Sequence, residues 1–173
     1  ESTGKLTIKS GFVSGSFAGD KTKVLAVNAE EGTVLPENCQ NMFSGFSNAV
    51  SIDLTNADFS KVTNMYGMFY GCQSLESVTF AKDINTAKVQ DMSSMFYACT
   101  SLLSIDLSGF NTGAVTNMNS MFRSCHLLKS VTFGKNFSTA NVTDMGSMFY
   151  DCQSLKSIDL SQFKGNMATD MSQ

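Results

Sequence analysis

One fragment recurs along the whole chain. VTDMGSMFYDCQSLKSIDL (142–160) is preceded by VTNMYGMFYGCQSLESVTF (62–80), VQDMSSMFYACTSLLSIDL (89–107) and VTNMNSMFRSCHLLKSVTF (115–133), with a degenerate copy, PENCQNMFSGFSNAVSIDL, at 36–54. The Met-Phe pairs begin at Met42, Met68, Met95, Met121 and Met148, so the step alternates between 26 and 27 residues. A fixed period of this size predicts stacked units, none of which buries its apolar face alone.

Each unit divides in two. Met65, Met68, Phe69 and Cys72 stand at i, i+3, i+4 and i+7, the spacing of one face of a short helix. Asn64 precedes that face, and its counterparts are Asn38, Asp91, Asn117, Asp144 and Asp170. Asn and Asp cap helices because their side-chain oxygen accepts an orphan backbone N–H. The second element is a strand, carried by Leu75-Val78-Phe80, Leu102-Ile105-Leu107, Leu128-Val131-Phe133 and Leu155-Ile158-Leu160. Stacking aligns these strands into a parallel sheet with a step of about 4.8 Å. Phe110, Phe137, Phe163 and Ile84 are expected to point inward at the corners. The corners after Phe80 and Phe133 are one residue longer than those after Leu54 and Leu107, which accounts for the alternating period.

The predicted fold is therefore an α/β solenoid of the leucine-rich-repeat kind, with a parallel sheet on one side and short helices on the other. Residues 1–33 form an N-terminal β cap and the first strand, and 34–173 form about five repeats, the last truncated. Within the first part, KLTIK (5–9) alternates like a strand, and 11–19 reads as a Gly/Ser-rich hairpin. KVLAVN (23–28) is read as the first strand of the stack, with Leu25 and Val27 in the places of Ile52 and Leu54. The chain opens without Met or a signal peptide and enters another helix at Asp170. It is expected to be a piece of a longer polypeptide whose array continues.

Composition narrows the function. Twelve basic and fifteen acidic residues give a net charge of −3, against the basic stripe that nucleic acid requires. No apolar run approaches the 18 or so residues of a membrane span. Four of the five cysteines, Cys72, Cys99, Cys125 and Cys152, hold one slot on the apolar face without metal-ligand spacing, and are read as free, buried thiols. The lone histidine, His126, takes a slot otherwise filled by Gln73, Thr100 and Gln153, so it is read as solvated. No Ser-His-Asp or Cys-His set converges. The chain is read as non-enzymatic, with no catalytic residue, cofactor or metal ligand.

The motif MF..C..L.SIDLS.FNT resembles the Met-Phe type of BspA-like leucine-rich-repeat surface proteins, found in host-associated bacteria and in mycoplasma lipoproteins. The resemblance spans 36–172; Cys39, Phe46 and Ala49 depart from it in the first copy. It implies a bacterial cell-surface or extracellular location and binding to a host or matrix protein, and the chain is read as a monomer. It carries over no defined site residues.

Two stripes are candidates for that contact. Beside the small outward serines of the sheet, one slot reads Val50, Glu76, Leu103, Lys129 and Lys156, changing character from coil to coil. Leu103 is its anchor candidate, and Asp106 lies in the neighbouring Asp/Thr column. The alternative stripe is Tyr70, Tyr97, Arg123 and Tyr150, rich in residue types enriched at interface hot spots. Three functions follow: a protein-binding module, a spacer presenting another domain, or a glycan binder using the tyrosines. The Asp column (Asp53, Asp106, Asp159) cannot chelate calcium, because residues two coils apart are about 10 Å apart whereas calcium needs its oxygens within about 2.6 Å.

Overall fold

The computed structural model describes residues 4–9 and 19–163. It is a parallel β-solenoid of about five turns. The strands are β1 (Lys5–Ile8), β2 (Ala26–Ala29), β3 (Thr33–Val34), β4 (Ser51–Leu54), β5 (Ala57–Asp58), β6 (Ser77–Phe80), β7 (Ser104–Leu107) and β8 (Ser130–Phe133). All pairings are parallel, in the order β1-β2-β4-β6, with β7-β8 continuing the wall and β3-β5 forming a small second ladder. The ladder thins between β6 and β7, where the Leu103 N–H reaches the Glu76 carbonyl at 3.5 Å.

The register corrects one reading. Val27 pairs with Ile52, not Leu54, and Ala29 takes the inward place two residues on. Leu25 falls outside the strand and is 50% exposed. Nor is β2 the first strand: β1 pairs with it in the same parallel sense, Leu6 beside Val27 and Ile8 beside Ala29. The N-terminal segment thus joins the stack through β1. The hairpin reading at 11–19 and the helix entry at Asp170 fall, apart from Gly19, outside the described residues.

The larger correction concerns the wall opposite the sheet. The short helices are absent among the described residues, where one three-residue 3-10 turn (Lys21–Lys23) is the only helical element. The predicted apolar face is nevertheless buried: Met65, Met68, Phe69 and Cys72 are all 0% exposed. The segment is a chain of tight turns. N–H groups of Met68, Tyr70 and Cys72 donate three residues back, to Met65, Gly67 and Phe69. The alternate N–H groups, of Met65, Gly67, Phe69 and Gly71, donate to Asp91, Ser93, Met95 and Tyr97 of the next coil at 2.8–3.0 Å.

The physical reason is the step. A sheet fixes adjacent coils at about 4.8 Å, whereas packed helix axes need about 8–10 Å. A wall rising in step with the sheet must be thinner than a helix. Half its N–H groups therefore bond between coils, and the chain bends back through left-handed residues. These recur four residues apart: Asn41 and Gly45, Gly67 and Gly71, Ser94 and Ala98, Ser120 and Ser124, Ser147 and Asp151, all with φ between 54° and 79°.

The residues read as helix caps keep a capping task in a different turn. Side-chain oxygens of Asn38, Asn64, Asp91, Asn117 and Asp144 each accept the backbone N–H two residues on, at 2.8–2.9 Å. These are Asx turns, and the same residues bridge coil to coil in parallel.

Between the two walls runs a ladder of phenylalanines. Phe43, Phe69, Phe96, Phe122 and Phe149 stack at 5.1–5.6 Å, with planes 3–19° apart. Cys39, Phe46 and Ala49 of the divergent copy are all 0% exposed, so they fill the same buried slots with other shapes. Phe110, Phe137 and Ile84 are buried at the corners as expected, and Phe163 packs against them. Thr86, Thr112 and Thr139 are buried beside them. The Thr86 hydroxyl donates to the Asn111 carbonyl, and that of Thr112 to Ser138.

Candidate functional site

The sheet-side column is built by the turn that precedes each strand. Leu75, Leu102 and Leu128 turn into the core, so the next residue faces out. Glu76, Leu103, Lys129 and Lys156 are exposed, Leu103 by 40%. Backbone bonds tie the column together: Val50 N–H to Leu25 carbonyl, Glu76 to Val50, Leu103 to Glu76, Lys129 to Leu103. The register adds Leu25 at its head, so the series runs Leu25, Val50, Glu76, Leu103, Lys129, Lys156. Leu25, Val50 and Leu103 are apolar residues between 40% and 50% exposed.

Leu127, two residues before Lys129, is another such residue, 46% exposed. Sequence reasoning missed Leu25 through the register error. It missed Leu127 although a signal existed: the equivalent slots hold Ser74, Ser101 and Ser154.

Asp106 is exposed beside this column and lies in register with Thr132. One of its oxygens accepts the Ser108 N–H at 2.8 Å. Asp53 and Asp159 do the same for Thr55 and Ser161. The Ser161 bond holds the Asp159 carboxyl below its usual range. The Asp column thus shapes the turns that follow the strands.

The alternative stripe is one continuous stack. Tyr70 and Tyr97 lie face to face at 4.7 Å, their planes 8° apart. The Arg123 guanidinium is held between Tyr97, at 5.9 Å, and Tyr150, at 4.5 Å. Its Nε is buried without a hydrogen-bond partner. The stack engages both faces of Tyr97 and one face each of Tyr70 and Tyr150.

His126 is half-exposed, and its Nε2 lies 3.0 Å from Asp151 of the next coil. Gln153, and then His126, lower the Asp151 carboxyl by hydrogen bonding. Cys125 turns away from that pair. The thiols of Cys72, Cys99, Cys125 and Cys152 donate to the carbonyls of Phe43, Phe69, Phe96 and Phe122 in the preceding coil, at 3.1–3.2 Å. All five cysteines are free in the structure, and of the four read as free, buried thiols Cys72, Cys99 and Cys125 are buried while Cys152 is partly exposed. Burial pushes the Cys72 and Cys39 thiols up to about 12 and raises Cys99 well above the ordinary range. Among the described residues no three His, Cys, Asp or Glu converge as a metal site. No helix there is long and apolar enough to cross a membrane.

A coil of one strand and one turn wall around a Leu/Phe/Met core, repeated about five times, is a parallel β-solenoid. The structure resembles the crystal structure of a leucine rich cell surface protein from Faecalibacterium prausnitzii A2-165, with TM-score 0.53 and 19% identity, over 86% of this chain and 36% of that one. The likeness is one of fold, and this chain spans about a third of that protein. The family described as "Mycoplasma protein of unknown function, DUF285" matches residues 37–163 and 129–173. The chain belongs to this family. No curated protein matches it.

Proposed function

We propose that the chain is a non-enzymatic module of a bacterial surface protein, of the Met-Phe repeat type, that binds a host or extracellular-matrix protein as a monomer. The observation that carries this reading is the outward column of Leu25, Val50, Glu76, Leu103, Lys129 and Lys156 on a rigid parallel sheet. Its flanking serines repeat while its own residues change, and three of its six are exposed apolar side chains. A preformed sheet loses little freedom on binding, and an apolar anchor between charges suits a protein partner. The resemblance to a leucine rich cell surface protein supports the location.

The Tyr70–Tyr150 stripe is the weaker candidate for partner or glycan, because stacking already occupies both faces of Tyr97 and one face each of Tyr70 and Tyr150. The test immobilises matrix proteins and compares two variant pairs that both stay folded. Leu103→Glu with Lys129→Glu is expected to abolish capture, and Tyr97→Ser with Arg123→Ser to retain it. The reverse pattern moves the contact to the stripe. Wild-type protein that captures no matrix component returns the chain to the role of a spacer.

A further inference from the structure

The alternating repeat length has a consequence at the corners. The corner after Leu107 is one residue shorter than those after Phe80 and Phe133, between which it stacks. A shorter corner between two longer ones leaves a notch, and the structure has an open cavity of about 500 Å³ there. It lies at the C-terminal ends of the strands. The proposed protein-binding column lies at their N-terminal ends, about 13 Å away along a four-residue strand.

In the other short corner, after Leu54, Asn56 reaches across to the preceding coil, its amide donating to the Ala29 carbonyl at 3.3 Å. The position equivalent to Asn56 is Gly109. A Cβ there would stand 2.6 Å from the Lys82 carbonyl oxygen. The close approach of these two corners requires glycine, so no side chain reaches across from this position.

The lining is donor-rich. Lys82 and Lys135 enter from the two long corners, and Asn85, Asn111, Asn136 and Ser108 complete the polar wall. Asn85 and Asn111 use their carbonyl oxygens on the N–H groups of Ala87 and Gly113, which turns their amide nitrogens free. Among the described residues no ion pair or hydrogen bond engages the Lys82, Lys135 or Asn136 side chains. Asp83 supplies one acceptor, so the notch carries two cations and one anion.

We infer that this notch binds an acidic saccharide, its charge carried by carboxylate or sulfate. The two ammonium groups form charge-assisted bonds to the acid group. Amides and a hydroxyl that both donate and accept match sugar hydroxyls, and Asp83 accepts from them. A peptide would want an apolar anchor, and the one apolar lining residue, Ile84, is buried at 6% exposure. The site is separate from the protein-binding column, so either can fail without the other.

The experiment titrates the folded, isotope-labelled chain with a heparin-derived tetrasaccharide, tetragalacturonate, neutral maltotetraose and hexaglutamate, following backbone amide shifts. Saturable shifts at Ser108, Gly109 and Lys135 with either acidic saccharide are expected. Lys82→Gln with Lys135→Gln should weaken that binding at least tenfold, while the surface control Lys5→Gln with Lys61→Gln stays within twofold. Thermal unfolding establishes that each variant is folded. The inference is overturned if neither acidic saccharide shifts those amides, if maltotetraose binds as well, or if the two double variants behave alike. Binding of hexaglutamate without either saccharide would make the notch a peptide site and would also overturn it.

Discussion

Replacing Ala98 with glycine separates a helical wall from a wall of turns. In a helix interior, Ala→Gly costs about 1 kcal/mol. Ala98 has φ 57°, the left-handed region, where an L-residue carries strain of about 1–2 kcal/mol. Glycine removes that strain but loses more backbone freedom on folding, about 0.5–1 kcal/mol. The net expectation is a gain of roughly 0–1.5 kcal/mol by these two terms. The inter-coil bond from the Ala98 N–H to the Arg123 carbonyl, at 2.9 Å, is untouched. Ser124, φ 60°, is the equivalent position one coil on and should respond alike. Ala87, exposed and without positive φ, serves as the control, with a loss of about 0.4–1 kcal/mol expected from the unfolded state alone. Urea unfolding reads all three as midpoint shifts at constant slope. If Ala98→Gly and Ser124→Gly lower the midpoint as Ala87→Gly does, the left-handed turns are wrong.

Phe96→Ala removes the central ring of the ladder, 0% exposed and stacked on both faces, and should cost about 3–5 kcal/mol in urea unfolding. Met95→Asp places an unpaired charge in the same core and should abolish the cooperative transition. Gly134→Ala should be severely destabilising although it adds one methyl, because the new Cβ collides with the Ser108 backbone; a melting temperature near wild type would show that this corner can shift. The buried thiols make stability fall with alkali. Their folded pKa is raised above the ordinary 9.0, to about 12 for Cys39 and Cys72, so the unfolded chain releases protons first and stability declines between about pH 9 and pH 12. Cys72→Ala should flatten that decline relative to wild type, measured as melting temperature against pH, and mass spectrometry without reductant should find all five thiols unbridged.

What could be read from the sequence was whatever depends on side-chain burial alone. The apolar positions of each repeat, the inward corner residues and the outward column are set by which residues water rejects. Met65, Met68, Phe69 and Cys72 are buried whether their backbone is a helix or a string of turns. For that reason the i, i+3, i+4, i+7 spacing could not distinguish the two. The left-handed slots held a weak signal: Gly45, Gly67 and Gly71 fill them in two copies, but Ser94, Ala98 and Ser120 hide the pattern in the others. The exposed candidates were legible by the same rule. Leu25 was lost because KVLAVN offers two registers differing by two residues, both of which keep Val27 inward.

What was missed follows from a single length. Strands stack at about 4.8 Å per coil, and in this chain the aromatic spacings of 5.1–5.6 Å show that the interior beneath the opposite wall rises by nearly the same amount. A helix is too wide for that step, so the opposite wall must send about half its N–H groups to the next coil, as Met65, Gly67, Phe69 and Gly71 do. The same step brings Tyr70 onto Tyr97 and lays Arg123 against Tyr150, so the residues of the stripe pack on one another. It also makes one residue at a corner matter, since a coil shorter by one cannot fill the width left by its longer neighbours. Asn56 reaches across its corner to the preceding coil, and the corner that carries Gly109 opens as a notch. The repeat that looks most uniform along the chain thus differs most where its length, and not its motif, changes.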